Sequence, residues 1–107
     1  MRVLISSKKI EVTEALRSAI EAQAQKLGKL HKQISWVQVF IEHVPKKSKD
    51  VFANKVTFEV SLPGKNVVVK NHAHDMYKAI SGAAESAVRQ VRKEYERRAT
   101  LRRKQIA

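Results

Sequence analysis

The chemistry this sequence offers is cationic. Residues 87–107 carry Arg89, Arg92, Lys93, Arg97, Arg98, Arg102, Arg103 and Lys104, opposed only by Glu94 and Glu96. That net +6 is half of the formal charge of +12 on the whole 107-residue chain. Six of the eight cations are arginines, whose planar guanidinium forks match phosphate oxygens. At about 100° per residue, Lys78, Arg89, Arg92 and Lys93 fall on one side of a helix, opposite Ile80, Ala84, Ala87 and Val91. Ser81, Gly82 and Ser86 lie on or beside the cationic side, small enough to admit a phosphate backbone. Arg17, Lys26 and Lys29 add charge from an earlier segment. A small domain stays soluble with a net charge of about 2–8, so the surplus points to a polyanionic partner. The same pattern also describes an ordinary solvated helix face. Glu14 and Glu21 dilute the earlier segment, whereas little dilutes the later one.

Other chemistries find fewer residues. Cysteine is absent, which removes disulfides, thiol catalysis and thiolate metal sites and suits a reducing cytoplasm. His72 and His74 have the spacing of two ligands on one strand face, but His31 and His43 are distant in sequence, so no metal centre is expected. No nucleophile elbow is present, and no carboxylate pair stands in an acid–base setting. None of the three glycines belongs to a phosphate-cradling loop. These absences point to a binding protein, not an enzyme, with no cofactor and no small-molecule substrate. No apolar run approaches the roughly 18 residues of a membrane-crossing helix, and Met1–Lys9 lacks the apolar stretch of a signal peptide. Trp36 and Phe40 share one strand face and suit either RNA stacking or ordinary cross-strand packing. Tyr77, at the edge of an apolar stripe, could stack on a base or bond a phosphate, but reads first as a core tyrosine with a bonded hydroxyl.

The elements that must position these groups follow from periodicity. Val3-Leu4-Ile5 reads as a first strand ending in the polar turn Ser6–Lys9. Thr13 is a good N-cap for a helix over about residues 13–29, with Leu16, Ala19, Ile20 and Leu27 on one face and Gly28 near its end. From Ser35 the period becomes two: Val37, Val39 and Ile41 alternate with Trp36, Gln38, Phe40 and Glu42. Pro45 and the run Lys46–Asp50 break this strand. Val56, Phe58, Val60 and Leu62 share one side of the next. Pro63-Gly64-Lys65-Asn66 is a turn, and Val67–Lys70 returns as a fourth strand. Asp75 caps a second helix with Tyr77, Ile80, Ala84, Ala87, Val88, Val91 and Tyr95 in its apolar stripe, ending near residue 97 and fraying from Arg98 to Ala107. The expected fold is α+β, in the order β-α-β-β-β-α: a four-stranded sheet with two helices packed on one face. A first strand lying beside the second would be parallel to it.

With this order in hand, the chain resembles the short ribosome hibernation-promoting factors of the ribosome-associated inhibitor type. Ile10-Glu11-Val12-Thr13-Glu14-Ala15-Leu16-Arg17, His74-Asp75-Met76-Tyr77-Lys78-Ala79-Ile80 and Val88-Arg89-Gln90-Val91-Arg92-Lys93 carry the resemblance. It implies a ribosome-binding domain over 1–98, followed by a short basic extension over 99–107. It also implies a partner, the small ribosomal subunit, whose ribosomal RNA is met in the channel for messenger and transfer RNA. The positions that match the family's RNA-contacting residues are Lys26, Lys29, Lys78, Arg89, Arg92 and Lys93. Translation would be blocked and idle ribosomes preserved, as dimers or singly, by a protein that is monomeric off the ribosome. Three departures stand out: Ser81 where the family often has Asp or Asn, Gly28 in place of an acidic residue, and the small run Gly82-Ala83-Ala84. Two other readings of the same surfaces are a general double-stranded RNA-binding module and a non-nucleic interaction protein using the open sheet face.

Overall fold

Apolar residues at period two cannot hide on both sides of a strand, so a sheet built from them has one face to cover. The structure, a computed structural model describing residues 1–44 and 53–106, with side chains through Lys104, covers that face with two helices. The elements run β1 (Arg2–Lys8), α1 (Glu14–Leu30), β2 (Trp36–His43), β3 (Asn54–Leu62), β4 (Lys65–Ala73) and α2 (Met76–Ile106). The strands lie in the order β1-β2-β3-β4. β1 is parallel to β2, joined through α1, while β2, β3 and β4 are antiparallel neighbours. This is the expected α+β architecture.

The core lies between the sheet and the helices. Val37, Val39 and Ile41 of β2, Val56, Phe58, Val60 and Leu62 of β3, and Val67 and Val69 of β4 point inward. Leu16, Ile20, Ala24 and Leu27 of α1 and Met76, Ala79, Ile80, Ala83, Ala84, Ala87 and Val91 of α2 meet them. α2 lies over β3 and β4, and α1 packs beside α2 and β1. Alanines under α2 let it approach the sheet closely.

Both helices start where the sequence says. The Thr13 hydroxyl accepts from the Leu16 amide at 3.2 Å, and the Asp75 carboxylate accepts from the Tyr77 amide at 2.8 Å. The end of α1 falls within a residue of expectation and that of α2 does not. α1 runs past Gly28 to Leu30 and is capped by His31, whose amide donates to the Leu27 carbonyl. Gly28 answers to a close approach instead: a Cβ there would press on the Met1 side chain. α2 does not fray at Arg98. It stays helical to Ile106, because Ala99, Leu101, Arg102, Arg103 and Lys104 are strong helix formers with no glycine or proline among them. Cations in its last turn also suit the helix dipole. β1 likewise continues through Ser6 and Ser7 to Lys8, because pairing with β2 holds those serines opposite Phe40 and Ile41. The turn comes at Lys9, the one described non-glycine residue with positive φ (59°). The β3–β4 turn is tighter than expected: Leu62 pairs with Lys65, leaving Pro63 and Gly64 as a two-residue loop in which Gly64 supplies φ of 79°. The expected break at Pro45 and Lys46–Asp50 lies outside the described residues.

Candidate nucleic-acid interface

α2 sets the geometry of the cationic surface. With Ile80, Ala83, Ala84, Ala87 and Val91 pinned to the core, residues half a turn away have nowhere to point but outward. Lys78 and Arg89, separated by three helical turns, lie along that outer crest, and both are exposed. Arg89 is steadied by Ser86, whose hydroxyl accepts from its guanidinium at 3.2 Å. Arg92 and Lys93 flank the crest on opposite sides. Lys93 lines a groove between α2 and the edge strand β4, with Lys65, Asn66, Val67, Val68, Gln90, Glu94 and Arg97. Arg92 leans towards α1: burial, and then the charge of Arg92, push the His31 imidazole below its ordinary range.

α1 contributes less. Lys26 lines the groove between the helices with Gln23, Ser81, Ala84, Glu85 and Val88. Lys29 stands exposed in the last turn of α1. All six predicted cations are therefore exposed on the helical layer, spread over two grooves, a crest and a helix end instead of converging on one pocket. None of the six is in an ion pair among the described residues. Such a surface can neutralise several phosphates along a backbone.

Some neighbouring assignments change. Gly82 does not belong to the cationic face. A Cβ there would collide with the Asn71 amide, which donates to the Ala79 carbonyl at 3.2 Å. Its small size serves the contact between α2 and β4. Tyr77 is not a core residue: it is 45% exposed, because Met76 takes the buried position at the helix start. His74 lies past the end of β4 at Ala73, so His72 and His74 do not share a strand face.

Two features escaped the sequence reading. The first is a knot around Glu94, which is only 6% exposed. Its carboxylate accepts from Arg97 at 2.7 Å, from Arg98 at 3.1 Å and from Lys65 at 3.3 Å. The Arg97 hydrogen bond is the main cause that holds it down at about 2, with Arg98 and Lys65 adding to it against the opposing effect of burial. Arg98 also donates to the Pro63 carbonyl at 2.8 Å. The i, i+3 and i, i+4 spacings to Arg97 and Arg98 were visible, but Lys65 was not. The second is a stack of His31 on Tyr95, with ring centroids 4.8 Å apart and planes 13° from parallel. The Tyr95 hydroxyl bonds Gln33 at 3.1 Å, and Arg98 sits 5.9 Å from the Tyr95 ring centre. This cluster fixes the end of α1 to α2, and no sequence signal pointed to it.

Comparison with known proteins adds a family. Residues 3–99 match the family described as sigma 54 modulation protein / S30EA ribosomal protein. The chain is 30% identical over 101 residues to the ribosome hibernation promoting factor of Pseudomonas putida, covering 94% of this chain and 93% of that one. It is 32% identical over 95 residues to the ribosome-associated factor Y of Haemophilus influenzae, covering 87% and 81%. A ribosome hibernation promotion factor from Deinococcus radiodurans is 30% identical over 89 residues, and the chain spans only about half of it (46%). The fold is similar to a ribosomal subunit interface protein from Coxiella burnetii, with a TM-score of 0.77 at 19% identity over 90% of this chain and 99% of that one. It is also similar to the N-terminal domain of protein Y from Thermus thermophilus, with a TM-score of 0.73 at 24% identity over 87% and 98%.

Proposed function

This chain belongs to the sigma 54 modulation protein / S30EA ribosomal protein family, and from that premise we propose that it is a ribosome hibernation factor that inhibits translation. It binds the small ribosomal subunit through ribosomal RNA in the channel used by messenger and transfer RNA, and it preserves idle ribosomes. The observation that supports this best is the outward set Lys78, Arg89, Arg92 and Lys93 on α2, exposed over a packed core within the matched residues. Lys26 and Lys29 extend the contact from α1. The mechanism is occlusion: no bond is made or broken, and a rigid helix pair fills space that messenger and transfer RNA need. The protein works in the cytoplasm as a monomer until it docks, and the ribosomes it occupies remain free to pair.

Phosphate neutralisation releases counterions, so binding weakens steeply with salt. About six phosphate contacts give a slope of log K against log salt near −4 to −5. Replacing Arg89, Arg92 and Lys93 by alanine is expected to weaken binding to purified small subunits about tenfold or more at fixed salt and to flatten the slope by about three. Cosedimentation through a salt series measures both. Unchanged cosedimentation of the triple variant would remove this face from the interface. A competition arm separates the alternative: duplex RNA that displaces the protein as well as an equal mass of small subunits would make it a general double-stranded RNA-binding module.

A further inference from the structure

Both helices cover the same side of the sheet, and among the described residues no element covers the other. Its outward residues fall in four rows fixed by the strand register. Arg2 and Trp36 form the first, and Leu4, Gln38, Glu59 and Val68 the second. Ser6, Phe40, Thr57 and Lys70 form the third, and Lys8, Glu42, Lys55 and His72 the fourth. A merely solvated sheet face is predominantly polar. This one carries two half-buried aromatic rings on the central strand β2, with Leu4 42% and Val68 53% exposed on the edge strands beside them.

The cations are placed relative to the rings. Arg2 lies directly opposite Trp36 on β1, and Lys70 completes the row of Phe40. Lys8 and Lys55 flank Glu42 in the row beyond. None of these four cations is in an ion pair among the described residues. Of the two acids on the face, Glu59 is occupied by the amide of Asn66 at 2.9 Å.

We propose that the uncovered sheet face is a second nucleic-acid surface, one that takes single-stranded RNA by stacking unpaired bases on Trp36 and Phe40 while Arg2 and Lys70 hold the adjoining phosphates. Every base has a π-face and every linkage a negative charge, so aromatic rings with a cation in each row fit this ligand without demanding a sequence. Trp36 and Phe40 are four residues apart on one strand, about 13 Å, so a strand of roughly four or more nucleotides bridges them. Duplex RNA is excluded, because its base faces are already stacked inside the helix. The surface lies on the opposite layer from Lys78, Arg89, Arg92 and Lys93, so it stands or falls independently of the hibernation assignment.

Trp36 is the only tryptophan in the chain and reports on this face directly. Titrating the full chain with a short oligouridylate is expected to quench its fluorescence to a saturating value, while a duplex of equal length leaves it unchanged. Phe40→Ala is expected to move the midpoint roughly tenfold to higher RNA concentration. Lys70→Ala, an exposed change on an edge strand that leaves the core intact, is expected to weaken binding and flatten the salt dependence by about one. The Arg89, Arg92 and Lys93 triple alanine variant keeps the parental midpoint. Emission that does not respond to the oligouridylate overturns the proposal, as does quenching that persists in both Phe40→Ala and Lys70→Ala. So does quenching that the helix variant abolishes. A saturating response to an acidic peptide but none to RNA overturns it in favour of a protein-binding face.

Discussion

From Met76 to Val91, α2 meets the core every three or four residues, through Ala79, Ile80, Ala83, Ala84 and Ala87. The cations of that half point outward because the opposite side of the helix is committed. From Tyr95 to Lys104 the same helix has no buried residue, and Leu101 is 45% exposed. The charges there divide differently. Arg97 and Arg98 turn back to Glu94, while Arg102, Arg103 and Lys104 are in no ion pair among the described residues. At 31 residues the helix is about 46 Å long, whereas no described strand exceeds nine residues, about 30 Å. It therefore outruns the sheet that supports it. Two halves of one helix hold their cations by different means. One uses packing and the other uses a carboxylate.

The largest test of that contrast is truncation of one apolar side chain in each half. Ile80→Ala is expected to cost about 2–5 kcal/mol by denaturant unfolding, and Leu101→Ala within about 0.5 kcal/mol. Equal losses would mean that the far half packs as tightly as the near one. Acid titration probes the boundary between them. The Glu94 carboxyl is held at about 2, against 4.5 when unperturbed. Its contribution to stability is therefore complete above pH 4.5 and lost as pH falls towards 2. Glu94→Gln is expected to be less stable at neutral pH and to lose this part of the acid dependence. An unchanged slope between pH 4.5 and 2 would show that the knot does not tie the halves together. The smallest effect belongs to Gly82 in the packed half. Alanine there gains about 0.8–1 kcal/mol of helix propensity but displaces Asn71 from the Ala79 carbonyl, a bond of about 0.5–1.5 kcal/mol, so the two nearly cancel. With Asn71→Ala already present, Gly82→Ala is expected to stabilise by roughly 1 kcal/mol in the same unfolding assay.

Element order, the inward residues of β2 and β3, and both helix starts were legible in the sequence. Each rests on a local rule. Alternation puts Val37, Val39 and Ile41 on one side, and Thr13 and Asp75 can reach amides two or three residues away. The apolar stripe of α2 ends at Tyr95, and the helix was expected to end with it. Propensity and the absence of any stop signal carry it to Ile106. Gly82 looked like part of a cationic face because a helix wheel does not show the Asn71 amide waiting on β4. Tyr77 looked apolar, but the start of a helix lies over the rim of a core, and Met76 filled the inward place.

By itself, the sequence determined that the chain buries one sheet face under two helices and presents a cationic exterior, because period and charge are properties of neighbouring residues. Only the tertiary structure decided which cations are free. Lys65 and Glu94 are 29 residues apart, and Gln33 and Tyr95 are 62 apart, so each pairing exists only once the chain has folded. It also decided that the rings of Trp36 and Phe40, on the side away from both helices, stay half-buried beside the exposed Leu4 and Val68. Alternation says that a strand has two faces, and packing chooses which of them meets solvent.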